Sequence, residues 1–68
     1  MISNDEELRV TQERIAYFQR LLSQLRVSAK PYEFTHVASS YRYEIEKMQT
    51  EVLDYLTSPV ANSMATAL

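Results

Sequence analysis

Few residues in this chain have side chains suited to catalysis or metal binding. His36 is the only histidine, and cysteine is absent. Glu33 lies three positions before His36, a spacing that makes two side chains neighbours on a helix. Such a pair could pass a proton or share a metal ion. A metal centre needs further ligands and acid–base work needs a cleft, and the sequence supplies neither. Glu44, Glu46 and Glu51 in "EIEKMQTE" invite comparison with helical bundles that hold two metal ions. Those bundles use inward-facing Glu-x-x-His pairs. No histidine stands at that spacing here, and the acids fall away from the row Ile45, Met48 and Val52. Glycine is absent as well, which removes phosphate-cradling loops. The sequence therefore assigns no catalytic residue, no metal ligand and no cofactor, and a non-enzymatic role is expected.

The elements that carry these residues must be small. With 68 residues the chain is one domain at most. A domain of that size buries only about 60% of the surface its unfolded chain exposes. Disulfides, a structural metal or oligomerisation usually make up the deficit. Without cysteine, and with one histidine, oligomerisation is the device left. Seven Lys and Arg against nine Asp and Glu give a net charge of −2, and the basic residues are scattered among acids. Releasing counterions from several phosphates needs a denser set of cations, so no nucleic-acid binding by the chain itself is expected. The acidic opening "MISNDEELR" is unlike a signal peptide. No apolar run approaches the roughly 20 residues of a membrane span. A soluble cytoplasmic protein, with no membrane partner, is the expectation.

Two prolines, Pro31 and Pro59, punctuate the chain. From about Asn4 to Val27 the composition favours helix, being rich in Leu, Arg, Gln and Glu. Leu8, Thr11, Ile15, Phe18, Leu22 and Leu25 recur at intervals of 3, 4, 3, 4 and 3, which keeps them on one helical face. Ser3 or Asn4 can cap this helix, with Glu6 or Glu7 three residues on as a capping box requires. "VSAKPYEFTH" connects it to a second helix that opens at Pro31 or, capped by Thr35, somewhat later. Ala38, Tyr41, Ile45, Met48, Val52 and Tyr55 repeat the 3, 4, 3, 4, 3 pattern up to about Thr57. Opposite charges four apart, Asp5–Arg9, Arg9–Glu13, Arg42–Glu46 and Lys47–Glu51, are expected to support the solvated faces.

The predicted architecture is all-α: a helix over about 4–27, a turn over about 28–31 and a helix over about 32–57, antiparallel because the connection is short. A tail, "SPVANSMATAL", covers 58–68 and is expected to be flexible. Tyr17 and Leu21 lie beside the first apolar row, and Leu53 and Leu56 beside the second. A stripe that wide suits helices with more than one neighbour. Two hairpins paired about a two-fold axis into a four-helix bundle are therefore expected. Leu8, Ile15, Phe18, Leu22, Leu25, Tyr41, Ile45, Met48, Val52 and Tyr55 are the candidate interface residues. Tyr32, Phe34, Tyr41 and Tyr43 gather aromatic side chains near the turn. They are expected to plug the bundle end, or to offer Tyr32, Phe34 and Tyr43 as a patch for a protein partner.

The opening "MISNDEELRVTQERIAYFQRLL" resembles the first helix of a group of bacterial Xre-type antitoxins, through Ile2, Asn4, Glu6 or Glu7, Thr11, Ile15, Phe18, Leu21 and Leu22. "YRYEIEKMQTEVLDYL" is similar to the second helix of that group, through Ile45, Glu51 and Tyr55. The resemblance runs from about residue 2 to 56. The helix-turn-helix domain of those antitoxins has no counterpart in these 68 residues, so DNA binding is not implied. It does imply a self-associating helical region that dimerises through its seams and touches a partner protein. On the alternative reading, that partner is a toxin neutralised by occlusion.

Overall fold

A computed structural model describes residues 1–59. It contains helix α1 over Asp5–Ser28 and helix α2 over Pro31–Thr57, joined by Ala29 and Lys30. Both joining residues are extended, with φ −89° and ψ 156° at Ala29 and φ −67° and ψ 146° at Lys30. Lys30 precedes a proline, whose ring disfavours the helical region at that position. So tight a link turns the chain back on itself, and the helices pack as an antiparallel all-α hairpin. The tail expected at 58–68 lies, beyond Ser58 and Pro59, outside the described residues.

Each helix start has a chemical reason. Asn4 is extended and caps α1, its side-chain oxygen accepting the Glu7 N–H at 2.8 Å. Glu7 reaches back in turn, its carboxylate accepting from the Ser3 N–H and the Ser3 hydroxyl, each at 2.8 Å. This is a capping box shifted by one residue, and it satisfies amide donors that a helix start otherwise leaves to water. Asp5, Glu6 and Glu7 also place negative charge where the helix dipole favours it. α2 begins at Pro31 and has no side-chain cap. Proline at the first position has no N–H to satisfy and its φ is already helical. Thr35 does not cap a later start. It lies within the helix and donates its hydroxyl to the Pro31 carbonyl at 3.1 Å.

The expected apolar rows face each other. Leu8, Thr11, Ile15, Phe18, Leu22 and Leu25 are half-buried on α1, and Ala38, Tyr41, Val52 and Tyr55 are half-buried on α2. Ile45 and Met48, each 8% exposed, are the only helical residues buried outright among the described residues. Ile2 is the third buried residue. It precedes α1, where the entering strand lies beside Glu51 and Tyr55 of α2. At that end the Tyr55 hydroxyl donates to Asp5 at 2.6 Å, which ties the first turn of α1 to the last turns of α2. The carboxylate that accepts this proton holds the Tyr55 phenol above its ordinary range.

The charged faces depart from the spacing rule in two places. Arg9 pairs with Glu13 at 2.7 Å as expected, but its second partner is Glu6, because Asp5 is engaged by Tyr55. Arg42 pairs with Glu46 at 2.9 Å. Lys47–Glu51 is not formed; Glu51 lies instead 3.8 Å from the Met1 amino group, on the side where the entering strand crosses α2.

Two outcomes test this account of the helix start. Asn4→Ala is expected to cost about 1 kcal/mol in urea unfolding, in the usual range for a lost cap. The Ser3 N–H, then the Ser3 hydroxyl, hold the Glu7 carboxyl below its ordinary value of 4.5. A lowered folded-state value contributes stability above the unfolded value and loses it as pH falls through the folded one. The stability gap between wild type and Glu7→Gln is therefore expected to be full at neutral pH and to close below pH 4.5, read from unfolding midpoints across an acid series.

Candidate interaction surface

Because the hairpin is one layer thick, the surface left by the seam is the candidate functional site. With 3.6 residues per turn, successive side chains rotate by about 100°. On α1, Val10, Arg14, Tyr17 and Leu21 therefore form a second row along one edge of the seam. On α2, Val37, Glu44 and Glu51 stand on the same edge. Val10, Tyr17 and Val37 are 41%, 51% and 39% exposed, and Leu21 is half-buried. This is the apolar flank. The opposite flank is polar: Gln19, Ser23 and Arg26 of α1 face Arg42, Glu46 and Gln49 of α2 across a shallow groove.

Leu53 and Leu56, 60% and 56% exposed, extend the row of Arg42, Glu46 and Gln49 on that polar side. They and the pair Tyr17 and Leu21 thus lie on opposite flanks. One docking face cannot cover both sets, although each pair lies beside the seam of its own helix. Spacing along one helix locates a residue relative to its own seam. Only the antiparallel packing decides which edges come together.

The aromatic residues separate in the same way. Tyr32 and Tyr43 point outward, at 73% and 64% exposed, whereas Phe34 and Tyr41 are half-buried. Within one hairpin they do not form a single cluster. Tyr41 instead meets Phe18 across the seam, with ring centroids 5.5 Å apart and planes tilted by 37°. Tyr17 continues the chain of rings at 5.8 Å from Phe18, and Arg20 lies 6.0 Å from the Tyr17 centroid, within reach of a cation–π contact. Of the expected patch, Tyr32 and Phe34 line a groove at the turn together with Leu25, Ala29 and Val37, while Tyr43 stands apart on α2.

His36 and Glu33 also border the turn groove, and both are exposed. Among the described residues no group of three or more His, Cys, Asp or Glu is placed to hold a metal ion. Nor is any described helix long and apolar enough to cross a membrane. The contacts missed by sequence reasoning are long-range ones: Ile2 over α2, Asp5 with Tyr55, and Phe18 with Tyr41. Ile2 alone carried a local signal, as an apolar residue just ahead of a helix cap.

No protein-family model, curated protein or solved structure matches this chain.

The Phe18–Tyr41 contact predicts a measurable coupling. In a double-mutant cycle with Phe18→Leu and Tyr41→Leu, unfolding free energies should show an interaction of about 0.5–1 kcal/mol, the lower part of the range for aromatic pairs.

Proposed function

We propose that this chain is a small, non-enzymatic interaction module of the cytoplasm that associates with itself through its helices and presents the remaining surface to a protein partner. One observation carries the reading: among the described residues the hairpin buries only Ile2, Ile45 and Met48, and no large side chain is fully enclosed. Full burial of a Val, Leu, Ile or Phe side chain stabilises by about 1.5–3 kcal/mol. Half-buried seam residues recover only part of that, against an ordering cost of about 1.5 kcal/mol per residue. A second hairpin laid on the first, making a four-helix bundle, covers the seam edges and supplies the difference. The seam residues from Leu8 to Leu25 and from Tyr41 to Tyr55 then become the bundle core. The turn groove at Tyr32 and Phe34 stays at the bundle end, where a partner can reach it.

A second reading has one sequence observation in its favour. Residues 2 to 56 resemble the helical region of Xre-type antitoxins, so the partner at the exposed surface would be a toxin protein, neutralised by occlusion. Co-expression separates the two: rescue of growth from a neighbouring-gene toxin supports occlusion, and unrelieved toxicity removes it.

Sedimentation equilibrium across a dilution series, with helicity followed in parallel, tests the main reading. A mass near twice the 7.9 kDa chain is expected, with helicity falling as the dimer dissociates. A fully helical monomer at every concentration would show that the hairpin is self-sufficient.

A further inference from the structure

We infer that the second copy docks on the apolar flank, with the two-fold axis parallel to the helices, so that Arg14 of each chain meets Glu44 of the partner subunit. The inference rests on the self-association proposed above and adds its face, its axis and the charge pair that fixes its register.

Register within the chain gives the levels. Phe18 faces Tyr41 and Asp5 faces Tyr55, so residues whose numbers add to 59 or 60 stand opposite each other. Arg14 is then level with Ile45 and Glu46, and Glu44, the carboxylate on its own flank, lies one residue farther, about 1.5 Å along the axis. Leu21 is level with Ala38, beside Val37. A two-fold axis along the bundle preserves these levels between chains, because each α1 then runs antiparallel to the partner's α2. Leu21 meets Val37 of the partner subunit, and Arg14 meets a carboxylate at each of two symmetric positions.

Charge complementarity favours this flank. Arg14 and Glu44 are both exposed, and neither belongs to an ion pair among the described residues. On the polar flank the comparable charges, Arg42 and Glu46, already satisfy each other at 2.9 Å. Opposite charges left over beside exposed Val10, Tyr17 and Val37 complement each other across a two-fold interface and fix its register.

The test uses two single variants of the full chain. Arg14→Glu places Glu against Glu in its homodimer, and Glu44→Arg places Arg against Arg. Each is expected to raise the dimer dissociation constant by about tenfold or more, since like charges at an interface are strongly unfavourable. Mixed one to one, the two variants restore both pairs. Native mass spectrometry should then show the heterodimer well above the half share of all dimers that random pairing gives. A control mixture, Arg26→Glu with Glu46→Arg, makes the same changes of net charge at positions that are not level with each other and should stay at the random share. A random 1:2:1 distribution in the first mixture, or a matching excess in the control, would overturn the assignment of the flank while leaving self-association standing. Monomeric wild type at every concentration would remove self-association and this interface together.

Discussion

The hairpin depends on the contact between two apolar rows, closed most tightly where Ile45 and Met48 of α2 meet α1. In a two-helix layer every seam residue has a neighbour on one side and solvent at its edges. Dispersion and hydrophobic burial scale with the contacts made, so a seam of half-buried side chains delivers a fraction of what the same residues give inside a bundle. The helices, the turn and the capping all serve to align this seam, and its incompleteness makes the outer surface the place to look for function.

Polar contacts hold the two ends of the seam in register. At the turn, two extended residues leave no slack, and Pro31 starts α2 without a donor to satisfy. At the open end, the Tyr55 hydroxyl bonds Asp5 and Ile2 folds over α2. Surface ion pairs of the Arg9–Glu13 and Arg42–Glu46 kind are worth little individually in water. They suit the solvent-facing sides of the helices without adding to the core.

The division into an apolar and a polar flank links this packing to the proposed association. It follows from two rotations of about 100° per residue meeting in antiparallel sense. Val10, Tyr17, Leu21 and Val37 come to one side, while Leu53 and Leu56 go to the other. The aromatic residues near the turn are divided by the same geometry into a seam pair, Phe18 with Tyr41, and the outward Tyr32 and Tyr43.

The sequence by itself determined the two helices, nearly to the residue, and the rows that face each other. Those properties depend on local propensity, on capping at Asn4, on Pro31 and on a 3, 4 repeat, all of which act within a few residues. Only the tertiary structure decided which edges share a flank, that Asp5 bonds Tyr55 rather than Arg9, and that Ile2 is buried. Each of these joins residues far apart in the chain. Their meeting is set by the direction and register of packing, which a periodic pattern along one helix does not encode.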